Sequence, residues 1–85
     1  MKSYRAKIVV KFKTPAFDTK GEALKNAVES LYYVENLNCS SEVKYVLTFD
    51  SNNQVSALNL VQEIAEKILI SPETEFYEIK SLTEI

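Results

Sequence analysis

Apolar residues return at every second position from Tyr4 to Phe12. Tyr4, Ala6, Ile8, Val10 and Phe12 alternate with Arg5, Lys7, Val9 and Lys11, the period of a half-buried strand. The pattern breaks at Thr14-Pro15-Ala16-Phe17, after which Leu24, Ala27, Val28 and Leu31 recur at helical spacing while Glu22, Lys25, Asn26 and Glu29 take the other faces. This predicts an amphipathic helix from Gly21 to about Tyr32, capped by Asp18 or Thr19, with Thr19 and Glu22 at capping-box spacing. Its apolar stripe needs a sheet to cover.

Leu37 and Cys39 mark a short second strand, followed by a turn at Ser40-Ser41-Glu42. Val43, Tyr45, Leu47 and Phe49 then alternate with Lys44, Val46, Thr48 and Asp50, which predicts a third strand. Asp50-Ser51-Asn52-Asn53 supplies turn and cap residues before a second helix from about Gln54 to Ile70. Val55, Leu58, Val61, Ile64 or Ala65, and Ile68 form its expected buried stripe. Ser71-Pro72 ends it, because the residue before a proline avoids the helical region. A last strand, roughly Glu75 to Leu82, carries Tyr77 and Ile79 on one face and Phe76 on the other.

The resulting order is β-α-β-β-α-β, an α+β fold with a four-stranded antiparallel sheet, both helices on one face, and a ferredoxin-like shape. The opposite face then meets water or another subunit. At 85 residues, 46% of them hydrophobic, the chain reads as one domain spanning 1–85. Its core is small and it carries no internal staple: the single Cys39 has no partner thiol, and there is no histidine to join it on zinc. Association with other chains is the expected extra source of stability.

Charge narrows the partners. Ten basic against twelve acidic residues leave a net charge of −2 and a pI near 5.1, a balance that argues against nucleic acid and anionic membranes as general partners. Met1 to Lys7 alternates charged and apolar residues, unlike a signal peptide, and no apolar run could span a bilayer. A cytoplasmic location is expected, with Cys39 reduced.

Catalytic chemistry finds little to work with. Without histidine, neither a Ser-His-Asp nor a Cys-His arrangement can form within the chain. Glu63 and Glu66 beside Lys67 read as solvated helix ion pairing, and Glu73, Glu75 and Glu78 as the charges of an edge strand rather than a metal site. One glycine cannot make a phosphate-binding loop. An RNA-recognition module shares this element order, but Tyr4, Phe12, Tyr45 and Phe49 fall in phase with the core residues, which leaves the basic face (Arg5, Lys7, Lys11, Lys44) without a stacking platform.

The lone glycine, Gly21, stands in Asp18-Thr19-Lys20-Gly21 at the start of a helix, where it costs about 1 kcal/mol relative to alanine. It therefore marks an unusual backbone angle or a close approach. Taken with Lys13 to Gly21, Leu31-Tyr32-Tyr33, Lys44-Tyr45 and Ile68 to Ile79, this turn resembles the PurS family, the small subunit of formylglycinamide ribonucleotide amidotransferase (phosphoribosylformylglycinamidine synthase). Asp18 and Gly21 match the family's Asp-Pro-Gln-Gly turn, and Leu69, Pro72, Glu75 and Tyr77 match its chain end. Tyr32 and Val43 stand where the family commonly has glycine, Ser71 replaces an asparagine, and one extra residue lies between Tyr33 and Lys44.

The resemblance implies a non-catalytic dimer or higher homo-oligomer that bridges a glutaminase subunit and an ATP-dependent synthetase subunit in purine biosynthesis. On that reading the chain binds no cofactor itself, while the assembled ligase uses ATP, Mg and glutamine. Asp18 and Gly21 would shape a turn at a subunit contact, Lys44 and Tyr45 would lie on a hairpin open to a partner, and Val9 and Val46 on the open sheet face would serve self-association. The alternative is a stand-alone ligand-binding or regulatory ferredoxin-like domain whose site lies between subunits.

Overall fold

The computed structural model describes residues 1–85. Three strands form one antiparallel sheet: β1 (Lys2–Phe12), β2 (Glu42–Ser51) and β3 (Glu75–Glu84), in the order β2-β1-β3. Between them lie α1 (Thr19–Tyr32) and α2 (Gln54–Ile64), the latter continued by a π-helical turn, Ala65–Leu69. The α+β class, two helices and antiparallel pairing are as expected. The fourth strand is not.

The segment predicted as a strand at Leu37 and Cys39 is irregular, with Asn36 left-handed at φ 55°. Two apolar positions among asparagines and serines give no edge a reason to pair with it. β1 is paired on both sides, by β2 from Lys2↔Ser51 to Lys11↔Glu42 and by β3 from Tyr4↔Glu84 to Phe12↔Glu75, while the outer edges of β2 and β3 stay free. The order is therefore β-α-β-α-β, which departs from the ferredoxin-like arrangement.

Register carries the predicted alternation into the core. Tyr4, Ala6, Ile8 and Val10 face the helix side with Phe49, Leu47, Tyr45 and Val43 opposite them on β2. A β-bulge at Lys80 shifts the phase of β3, so Ile79 and Leu82, rather than Ile79 and Ser81, join that layer. Ala6, Ile8 and Val61 form the buried centre, with Leu47, Phe49, Leu69, Tyr77, Ile79 and Leu82 packed around them. Tyr4 is buried and its ring stacks on Phe49 with centroids 6.3 Å apart, so this aromatic pair is core and not a platform for bases.

α2 buries Ala57, Val61 and Ala65, a stripe at i, i+4, i+8 whose two alanines let the helix approach the sheet closely. The expected stripe holds only at Val61, Ala65 and the half-buried Ile64. Val55 is 69% and Ile68 74% exposed, and Leu58 is also exposed. The π-helical turn accounts for the end of this shift. The N–H of Ile70 donates to the carbonyl of Ala65 at 3.2 Å, an i→i+5 step that adds a residue to the turn, rotating Ile68 outward and bringing Leu69 in.

β2 and β3 are both antiparallel to β1, so they run parallel to each other. The chain between them must cross the sheet, and this lays α2 over the face. β1 and β2 are antiparallel neighbours whose connection needs no crossover, and α1 is free to leave the sheet. It does so: Gly21 is its only buried residue, which overturns the expectation that both helices cover one face. The radius of gyration is 16.7 Å and the chain extends 54 × 26 × 14 Å, against about 12 Å for a compact chain of this length.

Ile8→Ala is expected to cost about 2–5 kcal/mol in urea unfolding, since it empties the centre of the core. Ile68→Ala is expected to change stability by no more than about 0.5 kcal/mol; the sequence-based stripe would require the two losses to be comparable.

Candidate functional site

Asp18 is a buried carboxylate, 4% exposed, that holds together both ends of the α1 excursion. As N-cap of α1 it accepts the Gly21 N–H at 2.8 Å through Oδ1. The same oxygen accepts the Ser41 hydroxyl at 2.5 Å, and Oδ2 accepts the Ser41 N–H at 2.6 Å. The cap is thus Asp18 alone, and the Thr19–Glu22 capping box does not form. The Ser41 hydroxyl, then the Ser41 and Gly21 amides, hold the carboxyl below its usual pKa; Lys20 adds to this and burial opposes it.

This explains the single glycine. Gly21 has no positive φ; a Cβ there would run into the Asp18 carboxylate, 2.8 Å from its Cγ and 3.0 Å from Oδ1. The close approach that its helix-start position implied comes from its own chain. Ser41, which sequence reasoning assigned only to a turn, is the partner that was missed, since nothing in Ser40-Ser41-Glu42 distinguishes one serine from the next.

Beside this cluster lies a groove of about 470 Å³, lined among others by Lys11, Lys25, Cys39, Glu42 and Phe76. Its charges are mixed, and Lys11 is already engaged with Glu78 at 3.3 Å and Glu42 at 4.0 Å. No three cysteine, aspartate or glutamate side chains are grouped as metal ligands. The other sequence candidates are not gathered here. Lys44 and Val46 are exposed on the sheet face away from α2, while Tyr45 points to the core side opposite Ile8. Val9 shares the open face but is 5% exposed, flanked in register by Lys44 and Glu78. It offers little surface of its own, so Val46 is the exposed member of the pair expected to serve self-association.

The chain-end motif has local work. Glu75 accepts the Ser71 N–H at 2.8 Å, and Lys13 donates its N–H to the Thr74 carbonyl at 2.8 Å and its ammonium to the Pro72 carbonyl. The Tyr77 hydroxyl donates to Glu66 at 2.9 Å, and burial, then Glu66, raises its pKa. Glu63, not Glu66, pairs with Lys67, at 2.7 Å. Glu78, on the edge strand β3, pairs with Lys80 and Lys11.

What remains without a partner is apolar. Leu24 is 49%, Leu31 and Tyr32 are each 72%, and Tyr33 is 89% exposed along and beyond α1. Tyr33 also ends the helix in the left-handed region at φ 55°, a conformation that a bulky side chain rarely takes. These features define a small α+β protein with a tightly fastened helix start and an uncovered helix. The chain belongs to the PurS family, described as phosphoribosylformylglycinamidine (FGAM) synthase, whose sequence model matches residues 5–83. That family places it in an enzyme of purine biosynthesis.

Solved structures agree with the fold. The chain is similar to B. subtilis PurS, with 27% identity over 95% of this chain and 99% of that one and a TM-score of 0.80. It is also similar to Methanocaldococcus jannaschii PurS, one of the subunits of formylglycinamide ribonucleotide amidotransferase in the purine biosynthetic pathway, at 21% identity, 96% and 98% coverage and a TM-score of 0.78. A chain of Thermotoga maritima PurLQS matches at 20% identity over 100% of both chains, with a TM-score of 0.78. A comparison with curated proteins gave no match. No helix is long and apolar enough to cross a membrane.

Two outcomes test the Asp18 cluster. Gly21→Ala should lower the melting temperature of the natural chain, because the added methyl displaces the carboxylate. In an Asp18→Ala background the same change should raise it, because alanine is then the better helix former; an unchanged sign would contradict the clash.

The second outcome concerns acid. Asp18 has a depressed folded pKa, so its contribution is present above the usual carboxylate pKa of about 4 and is lost as pH falls through the folded value. Between pH 6 and pH 2, the melting temperature should fall less for Asp18→Asn than for the natural chain. Glu63 and Glu78, also depressed, supply the acid sensitivity left in that variant.

Proposed function

We propose that this chain is a non-catalytic bridging subunit of FGAM synthase, joining the glutaminase and ATP-dependent synthetase subunits and supporting ammonia transfer between them in the cytoplasm. One observation carries the reading: the apolar face of α1 is uncovered in the single chain. A helix of fourteen residues that buries only Gly21 gains little stability from packing within the chain, and an assembly would supply more. Membership of the PurS family supports the choice of assembly, and PurLQS of Thermotoga maritima is a solved structure that includes a similar chain.

The α1 face is proposed to seat on a second copy of this chain. Both sides of such a contact are present in one molecule: the sheet is covered by a single helix, with Val43 on its helix side 49% exposed, while α1 offers Leu24, Leu31 and Tyr32. Two copies exchanging α1 would cover each other's apolar surface about one two-fold axis. This takes self-association away from the Val9 and Val46 face. That face, with exposed Lys44 and Val46, is assigned to the larger subunits, and Asp18 and Gly21 shape the base of the exchanged helix. ATP, Mg and glutamine are then bound by the other subunits, with no cofactor on this chain.

Purified glutaminase and synthetase subunits should show glutamine-dependent synthase activity only when this chain is added; equal activity without it would refute the bridging role. Leu31→Asp should leave the single chain folded, as the residue is 72% exposed, while weakening self-association at least about tenfold in sedimentation.

A further inference from the structure

Nothing but Asp18 and Ser41 ties the α1 excursion to the rest of the chain by hydrogen bonds. The Asp18 carboxylate bonds Gly21 at the start of α1 and Ser41 at the foot of β2. The remaining polar link in α1 is internal, Lys25 to Glu29 at 3.9 Å. From Val34 to Ser40 no backbone hydrogen bond outside regular structure and no side-chain bond is made, and Gly21, the one buried residue of α1, lies against Asp18 itself. A helix fixed at one end has a direction set by that end. The carboxylate receives three donors from two separate elements, so it defines an angle, where a simple N-cap would fix only the first turn of the helix.

We infer that Ser41 is a positioning residue: by clasping Asp18 it aims α1 away from the sheet, in the direction that contact with a second copy requires. The inference rests on the reading of α1 as the self-association surface. With the clasp closed, the helix reaches its partner already oriented, and little ordering entropy is lost on contact. With the clasp open, α1 and the segment 33–41 swing as a loop, and association must first restrict that motion. The clasp is separate from the buried centre around Ala6, Ile8 and Val61, so loosening it leaves the sheet and α2 intact.

The chain carries its own reporter. Cys39, its only cysteine, is half-buried two residues before Ser41 and lines the groove beside Asp18, so its thiol becomes accessible when the clasp opens. Four proteins are compared in full length: the natural chain, Ser41→Ala, Ser41→Thr and Leu31→Asp. Sedimentation gives the dimer dissociation constant, Ellman's reagent gives the rate of Cys39 modification on dilute protein, and thermal melting monitors the core.

Ser41→Ala should raise both the dissociation constant and the thiol rate about tenfold, the scale of losing a hydrogen bond to a charged group, while shifting the melting temperature by only a few degrees. Ser41→Thr, which keeps the hydroxyl, should restore both quantities. If Leu31→Asp is monomeric while Ser41→Ala dimerises like the natural chain, the clasp inference is overturned and the α1 surface stands. If Leu31→Asp itself dimerises normally, the α1 surface is the part that fails. A Ser41→Ala chain whose core melts as early as Ile8→Ala would make Ser41 a residue of general stability, which also overturns the inference.

Discussion

β1 is hydrogen-bonded along both edges, and the other elements take their places from that. With β2 on one side and β3 on the other, each antiparallel to it, the two outer strands run parallel and the chain linking them has to pass over β1. That crossing lays α2 over the sheet, where Val61 packs with Ala6 and Ile8 and where Ala57 and, in the π-helical turn, Ala65 are buried along the same stripe. The other connection joins neighbours and is under no such constraint, so α1 can project. One covered helix and one uncovered helix are therefore consequences of strand order, although both helices carry comparable amphipathic patterns.

The uncovered helix makes the Asp18 carboxylate important. A buried negative charge is tolerated only where donors converge on it, and here Ser41 supplies two and Gly21 one. The same convergence leaves no room for a side chain at position 21. An Asp and a Gly three residues apart, matching a family turn, are thus explained within one chain as a cap and the space it requires. A role at a subunit boundary would follow from their position at the base of α1, and would not require either residue to touch another molecule.

The chemistry of the surface divides the molecule. The sheet face away from α2 is laced with pairs such as Lys11 with Glu78 and Glu42, and even Val9 is closed over there. The α1 flank is apolar and ends in two exposed tyrosines, the second in a left-handed conformation. Water solvates the first surface well and the second poorly. The α1 flank is therefore the surface with more to gain from being covered.

Much was legible in the order of residues. Alternation located β1, β2 and β3 and assigned Tyr4, Ile8, Tyr45 and Phe49 to the core side; cap chemistry narrowed the helix starts to Asp18 or Thr19 and to Asp50–Asn53, of which Asp18 and Asn53 are the caps, and Pro72 marked the end of the second helix region. The spaced turn and chain-end motifs pointed to the PurS family. These are local signals, decided by side-chain period and by backbone groups within a few residues. Tertiary structure alone decided the rest. Whether Leu37 and Cys39 become a strand depends on whether they pair along the outer edge of β2, and that edge stays free. Which stripe of α2 is buried depends on how closely alanines let it approach the sheet and on a π-helical turn that shifts the phase. The meeting of Ser41 with Asp18, 23 residues apart, depends on where the α1 excursion returns, and no period along the chain encodes a contact between two loops.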